Sequence, residues 1–323
     1  LSLKVSRDIR EEVTSPTLIA GWPGMGSVGV GAVNYVRRSL EGDACAQIDL
    51  RSFFSPDMVV VEDGLARFPE APSHTFYHVA GTDLILFESE AQVSGEGGLS
   101  MMQEVLDYAQ EIGVSAIYTA AALAVPMSHT DDVRVMGVSN TKGMRDTLSH
   151  YDVDLLEQGH VSGLNGLLLG FAALRDIPAS CLLATMPGHV IQMPNPRASR
   201  EIVRVLKQIL DVEIDLSELD EAVEEMGKVL SEIEEKIRST FSSMQSPESG
   251  ELGELQMVDE EQVPQYVMEK IERLFLQVSQ AGDVRHAKET AAELKHELDR
   301  WSLYRYYEDR FLNLFREDPE GNT

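Results

Sequence analysis

Short apolar runs bounded by turn residues alternate with longer amphipathic windows along the first two thirds of the chain. The runs predict strands at Thr17–Gly21, Ala46–Leu50, Met58–Val61, Phe76–Val79, Leu84–Glu88, Ala116–Ala120, Val133–Val138 and Ser180–Ala184. The windows predict helices at Ser27–Leu40, Gly98–Ile112, Lys142–His150, Gly163–Arg175 and Pro196–Leu210. Several predicted strands are joined by turns alone. The expected fold is therefore an α/β domain over residues 1–215, with a mixed twisted sheet flanked by helices rather than a strictly doubly wound parallel one.

Past Asp215 the strand pattern stops. Leu219, Val223, Met226, Leu230, Ile233 and Ile237 recur at alternating four- and three-residue steps with acidic flanks, the spacing of a helix seam. The stretch Ser242–Gly253, rich in Ser, Pro, Gly and Glu, predicts a mobile loop near 242–260. Two more amphipathic segments follow, one carrying Val263, Val267, Ile271, Leu274 and Val278, the other Ala287, Ala291, Leu294, Leu298, Trp301 and Tyr304. Residues 216–323 are thus expected to form an acidic helical hairpin or small bundle. Its apolar stripes must be covered by each other, by the α/β body or by another chain. If the last alternative holds, Trp301, Tyr304, Tyr306, Tyr307, Phe311 and Phe315 supply the aromatic anchors of a partner surface.

Composition narrows the function classes. The 323 residues include 54 acidic and 27 basic ones, a formal charge of -27, so the field of the protein repels nucleic acid and anionic lipid. No nucleic-acid or membrane partner is expected, whereas a basic patch on another protein would be attracted. The only cysteines, Cys45 and Cys181, have neither metal-ligand spacing nor a disulfide framework, and they are expected to be buried thiols in a reducing compartment. Leu1–Glu12 is charged and lacks an apolar signal core, and no uncharged run is long enough to span a bilayer. A cytoplasmic location, with no metal and no cofactor, is the resulting expectation.

The most conspicuous chemical motif is Gly21-Trp22-Pro23-Gly24-Met25-Gly26-Ser27-Val28-Gly29, between a predicted strand and a predicted helix. Gly24, Gly26 and Gly29 match G-x-G-x-x-G, which lets a pyrophosphate approach a helix N-terminus, with Asp49 then placed to take ribose hydroxyls. Pro23 lacks an N–H and interrupts the usual passage from strand into glycine. Binding of another anion, and plain close packing of strand on helix, remain as alternatives. Acidic or polar clusters occur at Asp57, Glu62 and Asp63, at Glu88, Glu90 and Gln92, and at Ser128-His129-Thr130-Asp131-Asp132. His160 and His189 are further histidines in turns. A ligand or anion pocket built from these would draw on Gly24, Met25, Gly26, Gly29, Glu88, Glu90, His129 and Asn165, with Arg37, Arg67, Arg134 or Arg197 as the cation. No G-x-S-x-G elbow, Walker phosphate loop or H-E-x-x-H helix is present, and no catalytic site is complete in the sequence.

The motifs also form an ordered set. Leu18-Ile19-Ala20-Gly21-Trp22-Pro23-Gly24-Met25-Gly26-Ser27-Val28-Gly29, then Val61-Glu62-Asp63-Gly64 with Pro69, then Leu84-Ile85-Leu86-Phe87-Glu88-Ser89-Glu90 and Gln92 resemble the proteasome assembly chaperone 2 family. Gly163-Leu164-Asn165-Gly166, Ala184-Thr185-Met186-Pro187-Gly188-His189 and Pro194-Asn195-Pro196 continue the match in order. The resemblance spans Thr17 to Leu216. It implies a fold similar to nucleoside phosphorylases, homo-oligomers, and a non-enzymatic role in binding protein partners such as proteasome subunits. A small-molecule or phosphate-binding enzyme of phosphorylase-like architecture is the alternative that the fold allows. Relatives that dock on the proteasome can use a C-terminal hydrophobic-Tyr-X tail, whereas this sequence ends Glu317-Asp318-Pro319-Glu320-Gly321-Asn322-Thr323, so docking through a different surface is expected.

Overall fold

Period-two burial along the central strands sets the architecture. In β2 (Thr17–Gly21) Leu18 and Ala20 enter one apolar cluster and Ile19 enters another. The same alternation divides Ile85 and Phe87 from Leu84 and Leu86, and Cys181 and Leu183 from Leu182 and Ala184. A strand buried on both faces needs helices on both faces, and the computed structural model has them. It describes residues 2–54, 56, 58–244, 265–280, 284–301, 303, 304, 307, 310, 311 and 314.

In chain order the elements are β1 (Ser2–Val5), β2, α1 (Val28–Ser39), β3 (Asp43–Asp49), β4 (Val60–Glu62), β5 (Leu65–Arg67), β6 (His74–His78), β7 (Leu84–Ser89) and α2 (Gly95–Glu111). Then come β8 (Ala116–Val125), β9 (Val135–Ser139), α3 (Lys142–Leu148), β10 (Asp154–Leu155), α4 (Gly163–Ala173), β11 (Ala179–Pro187) and α5 (Pro196–Leu210), followed by α6 (Ser217–Met244), α7 (Gln265–Gln280) and α8 (Val284–Arg300). The main sheet has the order β1-β3-β6-β7-β2-β8-β11-β9-β10, and β4 with β5 forms a separate hairpin. β2 runs parallel to β7 and β8, while β3, β6 and β7 pair antiparallel, so the sheet is mixed as the turn-only connections predict.

Helices α2 and α4 cover one face through Met101, Met102, Val105, Leu106, Leu164 and Leu168. Helices α1, α3 and α5 cover the other through Val28, Val33, Val36, Leu148, Ile202 and Leu206. Local chemistry starts two of these helices. Asn195 caps α5 by accepting from the Ala198 N–H at 2.9 Å ahead of Pro196, and Thr141 caps α3 by accepting from the Met144 N–H at 3.2 Å. Both cysteines are buried, and burial pushes the Cys181 thiol up to about 11.

The chain divides into two units. One comprises Leu1–Ala124, Asp132–Met186 and Val190–Met226, and the other Val125–Asp131, Pro187–His189 and Gly227–Thr323. The helical unit therefore takes in two short loops from between the strands of the α/β sequence. Four strands differ from expectation. β1, β5 and β10 were not anticipated, and the run Met58–Val61 is strand only from Val60, where it folds back through Asp63 and Gly64, both at positive φ. That two-residue reversal is an Asp-Gly hairpin turn. Helix α6 continues to Met244, past the predicted start of the mobile loop, and the rest of that loop lies outside the described residues, as do Asp57, Val263, Tyr306 and Phe315.

One contact fixes how closely the layers pack. A Cβ on Gly29 of α1 would lie 1.9 Å from the Ala120 carbonyl oxygen of β8. Because the obstacle is backbone, Gly29→Ala is expected to lower stability by about 3 kcal/mol despite the better helix propensity of alanine. Gly170→Ala in α4, where a Cβ meets nothing within 4 Å, is expected to be neutral or to stabilise by about 0.5–1 kcal/mol. Urea denaturation of the two variants beside the parent chain checks both.

Candidate functional site

The parallel strands β7, β2 and β8 point their C-terminal ends the same way, towards the usual ligand side of an open α/β fold, with β8 running on past the other two. The glycine-rich loop leaves β2 there, and its Trp22, Gly26 and Ser27 amides are bound within the chain. The Trp22 N–H donates to Asn165 Oδ1 at 3.0 Å, and Asn165 Nδ2 donates back to the Trp22 carbonyl at 3.2 Å. Thr119 Oγ1 donates to the Asn165 carbonyl at 2.7 Å. The Trp22 ring is fully buried 5.1 Å from the Phe87 ring, with Nε1 3.0 Å from Met101 Sδ.

Gly26 takes φ 61°, a left-handed conformation that favours glycine, and its N–H donates to the Ile191 carbonyl at 2.7 Å. Its carbonyl accepts from the Asn195 N–H at 2.9 Å, and a Cβ there would press on Met186. The Ser27 N–H bonds to the Gly24 carbonyl. The Gly26 and Ser27 amides that would cradle a phosphate are thus already bonded, and Gly24, Met25 and Ser27 are the exposed part of the motif. The dinucleotide reading also fails on topology. Asp49 is on β3, which β6 and β7 separate from β2, and its carboxylate bonds Lys4 at 2.9 Å and Arg51. The ribose-binding acid of a dinucleotide site stands on the strand next to the glycine loop.

The remaining candidates disperse. Glu88 accepts from Arg37 Nε at 2.6 Å and from Asn34 Nδ2 at 3.1 Å, and the Arg37 guanidinium lies over the Tyr77 ring. Glu90 is exposed and accepts from the Ser73 N–H at 2.7 Å. His160 is exposed. Each candidate arginine faces a carboxylate of the chain: Arg37 with Glu88, Arg67 with Glu62, Arg134 with Asp154 at 3.7 Å and Arg197 with Asp132 at 3.6 Å. The structure brings Gly24–Gly29 and Asn165 together and leaves Glu90 apart.

His129 belongs to the helical unit, where it joins a buried ionic network absent from the sequence-based expectations. Its centre is Glu234 of α6. Glu234 Oε1 lies 2.9 Å from His129 Nδ1, 3.1 Å from the His129 N–H and 3.6 Å from His189 Nε2. Ser128 Oγ donates to Oε2 at 3.2 Å, and Arg300 Nη2 donates to it at 2.6 Å. Arg300 also faces Glu297, which pairs at 3.2 Å with Lys270, and Lys270 donates to Asp131 at 2.6 Å. Glu234, Lys270 and Glu297 are all buried. Burial alone would raise the Glu234 pKa, but hydrogen bonds from His189, His129 and the His129 backbone outweigh it and hold the carboxyl far below the usual range. The sequence signal was available. Glu234 follows Ile233 directly on the predicted seam, and an acid beside an apolar seam needs a partner once the helix is buried.

Of the aromatic residues expected as a partner surface, the described ones pack into the core of the helical unit. Trp301, Tyr307 and Phe311 are buried with Val267, Ile271, Leu274, Leu294 and Leu298, and the half-buried Tyr304 lies 5.7 Å from the Phe311 ring. The apolar stripes of α7 and α8 line the same cluster, so the rings bury their large apolar area against those helices.

Removing the Glu234 charge takes from Arg300 its 2.6 Å partner and leaves it only the longer contact to Glu297. Glu234→Gln is expected to cost the helical unit about 3 kcal/mol at neutral pH. Since the folded carboxyl is depressed, its contribution is complete above the ordinary value of 4.5 and is lost as the pH falls through and below it. Melts of parent and variant, followed by far-UV circular dichroism, should differ most near neutrality and converge in acid.

The comparisons with known proteins agree with this architecture. The family model described as the PAC2 family matches residues 18–234. An uncharacterized protein of Methanocaldococcus jannaschii is 25% identical over 224 residues, covering 69% of this chain and 84% of that protein. Among solved structures, PbaB of Pyrococcus furiosus, described as an archaeal proteasome activator, superposes with a TM-score of 0.61 at 24% identity, covering 72% of this chain and 98% of its own. PbaA of the same organism, described as an archaeal homolog of proteasome-assembly chaperone, gives 0.58 at 21% identity over 75% and 96% of the two chains. The family match runs from β2 into α6 and stops before α7, and since it spans most of the sequence, the chain belongs to the PAC2 family.

Proposed function

We propose that this protein acts without catalysis, as a homo-oligomeric binding factor in the assembly of a multisubunit complex, with proteasome subunits as its partner class. The observation that carries this reading is the closed state of the glycine loop. An enzyme of this architecture keeps free donors at the strand ends for its anionic substrate, whereas here Trp22, Gly26, Ser27 and Asn165 bond one another or neighbouring backbone. Membership of the PAC2 family and the likeness to PbaA and PbaB support the same reading.

On this reading the α/β part, 1–215, carries self-association, and the acidic helical part, 216–323, faces the partner. A cytoplasmic location belongs to the same proposal, and no helix among the described residues is long and apolar enough to cross a membrane. With a formal charge of -27, the protein is steered towards basic surfaces, so association should be fast at low salt and slow as salt screens the field.

Capture of recombinant proteasome subunits by the full chain tests the proposal, read by native mass spectrometry and by association kinetics. The expected result is a discrete complex whose association rate drops by about tenfold or more between low and high ionic strength. A protein that carries a small ligand, turns over a nucleoside or phosphate ester and binds no subunit would overturn it.

A further inference from the structure

In the helical unit, α7 from Glu272 to Ser279 and the later residues Arg310 and Leu314 border a cavity of about 470 Å³, within the lower half of the range of small-molecule sites. Glu272, Leu276 and Ser279 recur at four- and three-residue steps along one face of α7, and all three are exposed. Phe275 lines the cavity beside them, with the Arg310 guanidinium 4.2 Å from its ring centroid. Arg310 is held by Glu272 in two bonds of 2.5 and 2.7 Å. Arg273, the second guanidinium on the cavity, is placed differently. Among the described residues its one hydrogen bond runs from Nη2 to the Pro126 carbonyl at 2.8 Å, and its Nε has no partner. Every other arginine whose side chain is described faces a carboxylate. In a chain of 54 acids and 27 bases, a half-buried guanidinium that meets none of the acids needs a physical reason.

We propose that this cavity binds a medium-chain aliphatic carboxylic acid, with Arg273 taking the carboxylate and Phe275, Leu276 and Leu314 the hydrocarbon. The site goes beyond the assembly role and does not rest on it. Charge selects the head group. Two guanidiniums and one carboxylate border the cavity, so a single negative charge neutralises it. The guanidinium donors that the fold leaves without an acceptor form a planar fork, which suits the two oxygens of a carboxylate. The same charge count explains the hydrocarbon. The field of a protein with formal charge -27 works against every anion, so one that stays must add apolar contact to its ion pair. Leu276, 55% exposed, and the half-buried Leu314 offer that contact. Inorganic phosphate brings more charge and no apolar surface.

Titration calorimetry of the full chain with sodium octanoate tests the site, beside sodium hexanoate, octanol and inorganic phosphate. Octanoate is expected to bind once per chain and about fivefold to fifteenfold more tightly than hexanoate, for its two additional methylenes. Phosphate is expected to give no binding heat. Arg273→Gln keeps an amide that can donate to the Pro126 carbonyl, and it should weaken octanoate by about tenfold or more and octanol by less than about threefold. Leu276→Glu, at an exposed position, should weaken both by about tenfold or more, and it decides the matter if Arg273→Gln does not melt as the parent does. A chain that takes up no octanoate at millimolar concentration overturns the proposal. So does octanoate binding that ignores both variants, octanol binding as tight as that of octanoate, or phosphate binding that Arg273→Gln removes.

Discussion

The α/β unit depends on the approach of helix α1 to strand β8 at Gly29, where the helix backbone lies against the Ala120 carbonyl with no space for a single carbon. Such proximity requires glycine, and it determines what the preceding loop does. A Cβ on Gly21 would meet Val33 of α1 at 2.9 Å, so strand and helix are in contact from the last residue of β2 onward. The loop between them must reverse direction within a few residues, which the left-handed Gly26 and Ser27 allow. Ser27 pays for that position without forming a side-chain cap, and the bonds that neighbouring Gly26 gives to the Ile191 carbonyl and accepts from the Asn195 N–H keep the turn in place. The glycines of this motif serve backbone proximity, the same property that lets other G-x-G-x-x-G loops approach a phosphate.

This explains why the motif misleads when read alone. Spacing reports that the backbone comes close to something; it does not report to what. The central strands and their flanking helices were legible because period-two and helical alternation follow directly from burial on two faces, as at Leu18, Ile19 and Ala20. Strand order was not legible, and it is strand order that removes Asp49 from the loop by placing β6 and β7 between. The closing partner was not legible either, since Asn165 is far along the chain from Trp22 and only the fold brings them together. The Asp63-Gly64 turn, in contrast, is a local hairpin signal and was open to reading from Val60 to Arg67.

The helical unit shows a different limit. Its seam was evident in the recurrence of Leu219 to Ile237, but whether Trp301, Tyr307 and Phe311 face inward depends on α7 and α8 together. The recruitment of Val125–Asp131 and Pro187–His189 into this unit has no periodic signature at all. Those loops supply His129, His189 and Asp131, and they satisfy charges that the helices could not bury by themselves.

Buried ion pairs are a poor source of net stability, because desolvation offsets most of their attraction. What they supply is selectivity among alternative packings. Helices as acidic as α6 have many apolar registers of similar energy, since Leu, Ile and Val pack with little direction. A carboxylate at Glu234 that must meet Arg300, Ser128 and the His129 N–H at once has far fewer, and a register slipped by one residue would leave it and Arg300 buried without each other. The network therefore acts chiefly by penalising wrong arrangements. In a chain with twice as many acids as bases, Arg300 and Lys270 are held by the interior carboxylates Glu234 and Glu297, so each cation drawn inward takes a carboxylate with it.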